Sequence, residues 1–298
     1  MMFVSPMVTI GKLITTGSRY LADQGISNPR LEAEVLLSYI LRWERIQLYV
    51  RWADEVSCED KVRFQNALEK RGQHMPAAYI TGIKEFYGLE LAVNENVLIP
   101  RPETELLVDW LLALCQEKSG QLISIIDIGT GSGAISIALA YNLLEKGHEC
   151  FHIYAADISQ DALKIAAQNA VRWQVDGKVE FVESDLFENL PHTLKKNVDI
   201  IVSNPPYIPT EDLNTLPRDI LGYEPVQALD GGPAGLAFYP PLLTEGRHFL
   251  KNEGWMVFEI GHGQGDALTA LAQQLDCSAV ELHFDHSGKE RMVIARWG

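Results

Sequence analysis

Asn204, Pro205, Pro206 and Tyr207 form the run NPPY directly after the apolar stretch VDIIVS. Each proline lacks a backbone N–H and fixes its own φ, and each pushes the residue before it toward extended backbone. The result is a stiff corner carrying bare carbonyls, a carboxamide and an aromatic ring. A planar nitrogen with two N–H bonds suits such a corner. Its lone pair is delocalised, so it is a poor nucleophile, and two acceptors aimed at its hydrogens would return electron density to it. The side-chain oxygen of Asn204 and the carbonyl of Pro205 are the candidate acceptors. Pro206 belongs to the same wall, and Tyr207 is expected to stack on the flat acceptor group. Catalysis would then come from orientation and electrostatic preorganisation.

The electrophile is expected beside this corner. DIGTGSG (127–133) follows one apolar run and opens a helical one. Glycines in such a loop allow tight turns and close approach of a ligand. With Ala134 in the third glycine's place, GTGSGA also passes for a relaxed dinucleotide fingerprint. Asp127, two residues before the first glycine, suits a ligand ammonium and would be odd beside a pyrophosphate. Asp157, at the end of a second strand, can accept from both ribose hydroxyls. Asp185, at the end of a third, can accept from an adenine amino group, with Leu186 or Phe187 along the ring. A ligand with a cation, a ribose, a base and no phosphate is S-adenosylmethionine, with S-adenosylhomocysteine as product. The expected cofactor set is Asp127, Gly129, Thr130, Gly131, Gly133, Asp157, Ile158, Asp185 and Leu186, with Asn204 where cofactor and substrate meet.

These residues need a scaffold that brings strand ends together. From 122 onward, candidate strands (122–128, 151–156, 178–183, 198–203, 254–260, 279–284 and 291–297) alternate at first with helical patterns. That alternation predicts an α/β fold: a doubly wound, seven-stranded, mostly parallel sheet covered on both faces. Residues 5–75 read as a helical bundle. In it Asn28 is expected to cap a helix begun by Pro29, and Leu31, Val35 and Ile40 to share its apolar face. A hairpin connector is expected around 85–99, and a helix from Pro102 to about Gln116. The domains are therefore an N-terminal helical domain (1–84), a β-hairpin connector (85–101) and a catalytic domain (102–298).

The chain has 298 residues and a formal net charge of −15. Residues 1–90 carry equal numbers of acidic and basic side chains, so the excess lies entirely in residues 91–298. Such acidity opposes non-specific nucleic-acid binding. Four scattered cysteines and eight histidines without ligand spacing predict neither a disulfide framework nor a metal site. The N-terminal MMFVSPMVTIGKLI has no basic stretch before an apolar run, and no run is long enough to span a membrane, so a cytoplasmic protein is expected.

Taken together, PAAYITG (76–82), EFYGL (85–89), VLIPRPETE (97–105), DIGTGSG, ADIS (156–159), NPPY, LDGGPAGL (229–236) and EIGHGQ (259–264) resemble the HemK-type release-factor glutamine N5-methyltransferases, within the class I S-adenosylmethionine-dependent methyltransferases. NPPY alone is shared with adenine N6-methyltransferases of DNA; its combination with RPETE and a helical N-terminal domain is specific. The resemblance implies a protein substrate, the glutamine of the Gly-Gly-Gln loop of peptide chain release factors. It implies that Asn204 and the Pro205 carbonyl hold the side-chain amide, that Tyr207 shapes the pocket, and that Gly129, Gly131, Asp157 and Asp185 belong to the cofactor site. The helical domain would then touch the release factor, and the protein would act as a monomer. Arg101 is expected to guard the cofactor, meet an acidic patch of the partner, or form a structural salt bridge. Glu224 and the LDGGPAGL turn should lie over the site, with Gly231, Gly232 and Gly235 needed for backbone shape. Glu259 is expected to cap or pair locally.

Overall fold

The computed structural model describes residues 8–118 and 120–298. They divide into two compact units, one running to Ile83 and including Pro217–Tyr223, the other made of Lys84–Leu216 and Glu224–Gly298. The expected helical domain thus gains a distant segment, and its first seven residues lie outside those described.

The first unit holds α1 (Ile10–Asp23), α2 (Pro29–Leu41), α3 (Arg45–Val50), α4 (Cys58–Gly72) and α5 (Ala77–Thr81). Side-chain oxygens of Thr9 and Ser57 cap α1 and α4 by accepting from the amides of Lys12 and Asp60. At α2 two expectations fail. Asn28 sits in the left-handed region (φ 50°) and its side chain makes no capping bond. Leu31 is exposed, and the buried face is Ala33, Leu36, Leu37 and Ile40. The apolar stripe is therefore rotated toward the helix's second half, where it meets α1. Buried Glu34 accepts from Arg30, Arg45 and Tyr49, which satisfies a charge that would otherwise be costly inside. Pro217–Tyr223 is held to this unit by Arg71–Asp219 (3.6 Å) and by the Tyr223 hydroxyl, which donates to the carbonyl of Gln73.

The hairpin, β1 (Ile83–Phe86) and β2 (Leu89–Ala92), starts two residues before the expected position and closes well before 99. Its two-residue turn, Tyr87 and Gly88, has φ of 52° and 76°, the pair of left-handed residues a type I′ turn requires. Tyr87 tolerates this because its backbone N–H donates to Glu105 and its hydroxyl to Asp109.

The second unit continues with a 3-10 turn at Pro102–Thr104, which displaces the start of α6 to Glu105 (Glu105–Glu117). Then follow β3 (Ile123–Ile128), α7 (Ala134–Glu145), β4 (Phe151–Asp157), α8 (Gln160–Arg172), β5 (Val179–Glu183), β6 (Val198–Ser203), α9 (Tyr239–Gly246), β7 (Leu250–Glu259), α10 (Gly265–Gln274), β8 (Ala279–Phe284) and β9 (Glu290–Trp297). The sheet order is β8-β9-β7-β6-β3-β4-β5, and β9 alone runs antiparallel to its neighbours. Alternate residues of β3 feed two cores: Ile123 and Ile125 on one face, Ile126 and Ile128 on the other. The one charge in VDIIVS, Asp199, is buried and held by Lys118, Lys251 and the Ser124 amide. The chain lays β4 and β5 to one side of β3, then returns to place β6 on the other. This strand-order reversal opens a crevice at the carboxyl ends of β3 and β6, where ligands bind in such sheets.

Candidate active site

A cavity occupies that crevice. Of the residues singled out from sequence, the cofactor side brings Gly129, Gly131, Asp157, Ile158, Asp185 and Leu186 to its wall. From the corner come Asn204, Pro205 and Pro206. The wall carries two carboxylates and no Lys, Arg or His among the described residues.

The glycine loop rises from β3 with Gly129, Gly131 and Gly133 all at positive φ (74°, 58° and 81°). Its amides are engaged within the protein. Gly129 and Thr130 donate to the Ala156 carbonyl, Gly133 to the Thr130 carbonyl, and Gly131 to Asp157 Oδ2 at 2.8 Å. These four loop amides are therefore not free to cradle a pyrophosphate. Asp157 Oδ1 accepts from the Ser159 amide. Burial raises the carboxyl above its ordinary pKa, against the pull of the backbone amides that bond it.

Five expected residues do not reach the wall. Asp127 is 1% exposed beneath the loop; Oδ2 accepts from the hydroxyls of Thr130 (2.8 Å) and Ser136 (2.7 Å), and Oδ1 has no hydrogen-bond partner among the described residues. Burial pushes this carboxyl up to about 6, against the pull of those two hydroxyls. Its geometry makes it a tie between loop and α7, not a contact on the wall. Thr130 is turned inward by the same bond. Gly133 lies under the loop, where an added Cβ would fall 2.6 Å from the Ile137 side chain. Arg101 is drawn away by Glu224, whose Oε1 it contacts at 2.5 Å and whose Oε2 accepts from the Ile99 amide. Of the alternatives for Arg101, this is the salt bridge.

Tyr207 is the fifth. Its hydroxyl donates to Glu259 Oε1 at 3.3 Å. Burial and the nearby Glu259 push the phenol's pKa well up, so it stays protonated and serves as the donor. Glu259 also accepts from the Thr104 hydroxyl at 2.6 Å, and the Asn204 carboxamide donates from Nδ2 to Thr104 Oγ1 at 3.1 Å. Thr104 and Glu259 are 4% and 1% exposed. Burial pushes Glu259 up to about 7, with the Thr104 and Tyr207 hydrogen bonds opposing. Sequence reasoning did not find Thr104, and assigned Glu259 no part at the corner.

The LDGGPAGL turn presses on the same corner. A Cβ at Gly231 would fall 2.7 Å from Tyr207 Cα, and one at Gly235 would fall 2.0 Å from the Tyr207 carbonyl oxygen. Gln264 locks the arrangement: its Nε2 donates to the carbonyls of Tyr207, Ala234 and Gly235. The rest of the wall includes Val97 and Leu98 of VLIPRPETE, and Asn96, Pro225, Phe238 and Leu242, which no motif marked.

The fold and the crevice define a methyltransferase of the Rossmann-like kind. A methyltransferase-domain family model matches residues 120–257, and the model of the PrmC N-terminal domain matches residues 12–82. The hMettl16 catalytic domain, solved in complex with MAT2A 3'UTR hairpin 1, superposes with a TM-score of 0.58 over 95% of this chain and 91% of that one; at 15% identity this is a likeness of fold. The release factor glutamine methyltransferase of Bacillus anthracis is 39% identical over 88% of this chain and 90% of its own. That of Geobacter sulfurreducens is 36% identical over 97% of each chain, and that of Bacillus subtilis 37% identical over 97% of this chain and 98% of its own. The chain belongs to the release factor glutamine methyltransferase family.

Proposed function

We propose that this protein transfers a methyl group from S-adenosylmethionine to the side-chain amide nitrogen of the glutamine in the Gly-Gly-Gln motif of peptide chain release factors. The observation that carries the cofactor choice is the wall itself: two carboxylates, no basic side chain, and a glycine loop with the amides of Gly129, Thr130, Gly131 and Gly133 engaged internally. A cationic nucleoside fits such a wall and a pyrophosphate does not. When bound, S-adenosylmethionine supplies an electrophilic methyl group on a positively charged sulfur.

The chain's residues then divide the work. Asp157 holds the ribose hydroxyls. Asp185 accepts from the adenine amino group while Ile158 and Leu186 flank the ring. Asn204 Oδ1 and the Pro205 carbonyl accept the two hydrogens of the substrate carboxamide, with Pro206 beside them. Tyr207 fixes the corner from behind through Glu259. Asp127 holds the glycine loop to α7. The N-terminal helical unit docks the release factor, and the protein works in the cytoplasm as a monomer with no nucleic acid bound.

The test is to incubate the protein with methyl-labelled cofactor and either a release factor or duplex DNA, then locate the label by peptide mapping. Label on the Gly-Gly-Gln glutamine is the expected result. Label on DNA, or on neither, would sink the proposal.

A further inference from the structure

We infer that Glu259 and Thr104 are positioning residues that decide which end of the Asn204 carboxamide faces the cavity. The inference rests on the proposed amide-nitrogen acceptor. An ionised carboxylate can only accept hydrogen bonds, and a hydroxyl has a single proton. At 2.6 Å from Glu259 Oε2, the Thr104 hydroxyl donates that proton to the carboxylate. Its oxygen then offers only lone pairs to Asn204, 3.1 Å away. Asn204 must answer with its NH2, which leaves its carbonyl oxygen toward the cavity. When Glu259 is ionised, its buried negative charge therefore fixes the polarity of the whole chain from Glu259 through Thr104 to Asn204, and the constraint is lost as the carboxyl protonates.

Remove that charge and the constraint goes. The Thr104 proton can turn toward Asn204, the carboxamide can rotate, and its NH2 then meets the N–H bonds of the substrate: donor against donor. This accounts for a carboxylate where an apolar side chain would be easier to bury. The groups facing Glu259 agree with the assignment. Tyr207 donates to its other oxygen, and the Tyr239 hydroxyl is occupied by the Glu259 carbonyl. Of the charges acting on it, Glu103 raises its proton affinity and Arg291 lowers it; Arg291 is itself engaged with Asp285 at 2.9 Å and with Glu103 at 3.8 Å.

The experiment uses the full chain and a full release factor. Thr104→Val, which removes the hydroxyl at constant shape, and Glu259→Met should each lower kcat at least about 10-fold, part of the roughly 10²- to 10³-fold that one preorganised contact carries. KM for the release factor and cofactor affinity by calorimetry should change far less than kcat, because the lost polarity is felt most where charge develops in the transition state. Thr104→Ser should restore activity, and Glu259→Gln, which can present either an acceptor or a donor, should fall between Met and wild type. A second readout needs no turnover. The side-chain amide resonances of Asn204, followed by 15N NMR, should shift as Glu259 titrates and stay fixed with pH in Glu259→Met. Thr104→Ser as impaired as Thr104→Val, or Glu259→Met with wild-type kcat, overturns the inference. So do Asn204 resonances indifferent to Glu259. A wild-type protein that leaves glutamine unmethylated, while those resonances do follow Glu259, overturns the proposed function and spares the polarity relay.

Discussion

Asp127 lies under the glycine loop and Glu259 behind the NPPY corner, and the two differ in what they hold. Each lies at the end of a strand, each is 1% exposed, and burial pushes the two up to about 6 and about 7. They differ in how their hydrogen bonds are shared. Asp127 takes both on one oxygen, from a loop residue and from the first turn of α7. Glu259 takes one on each oxygen, and both donors belong to the NPPY corner or lead to it. The proposed cofactor end is thus shaped by backbone, with a carboxylate as fastener. The acceptor end is shaped by a side-chain relay, with a carboxylate as the source of its polarity. Damage at the two ends should have different signatures.

The largest expected effect is at the acceptor end. Asn204→Ala removes the proposed acceptor of the substrate amide, and kcat should fall about 10²-fold or more. Cofactor affinity, measured by calorimetry, should stay near wild type. An equal loss in both quantities would mean that the two ends are not separable.

The buried carboxylates themselves give the next effect, in stability. Each has a native pKa above its unfolded value, 3.8 for Asp127 and 4.5 for Glu259. Between those values and the native ones the folded state binds more protons than the unfolded state. Stability therefore falls as pH rises through the window from about 4 to about 7, by up to roughly 3 kcal/mol per group. The slope from each group fades only once pH is about a unit above its native value. Urea unfolding at stepped pH checks this. Asp127→Asn should flatten the part of the fall that ends near pH 6, and Glu259→Gln the part that extends to pH 7. Stability rising across the window in the wild type would show that partners outweigh burial at both sites.

At the cofactor end, Asp157→Ala should weaken cofactor binding about 10-fold, in line with hydrogen bonds to a charged group. At saturating cofactor, kcat should be nearly retained. Unchanged affinity would remove Asp157 from the ribose role and undo the division of labour.

The parts of this arrangement differ in how they can be read from sequence. The strands, the loop and the wall residues of the cofactor end are legible because a parallel sheet puts consecutive strand ends on one edge. Gly129, Asp157 and Asp185 each follow an apolar run, so topology alone gathers them. The relay is not legible that way. Thr104 is 155 residues from Glu259 and 100 from Asn204, and no local pattern marks a threonine that closes a 3-10 turn. The early start of β7 was hidden for a different reason. Glu253 takes φ of 62° among polar residues, and the pairing of β6 with β7 shifts register between Val198 and Ile200, so the alternation that signals a strand begins only near Gly254. At α2, Asn28 and Leu31 looked like a cap and a core residue because propensity cannot see that the stripe is set by α1.

The smallest expected effect probes the loop where it meets the cavity. Gly131 and Gly133 both need positive φ, but their surroundings differ. A Cβ at Gly133 would meet Ile137 at 2.6 Å, whereas a Cβ at Gly131 would have nothing within 4 Å. Gly131→Ala should therefore cost only the left-handed strain of a non-glycine residue, about 1 kcal/mol, visible as a small drop in Tm. Gly131 lines the cavity, so the added methyl stands in the space proposed for the cofactor, and affinity should weaken by more than the stability loss accounts for. Gly133→Ala should show the reverse: a larger drop in Tm, from the clash, and a smaller effect on affinity once the protein is folded. If Gly131→Ala binds cofactor as wild type does, the ligand does not pass over this glycine, and the backbone-built end of the crevice has been assigned to the wrong part of the loop.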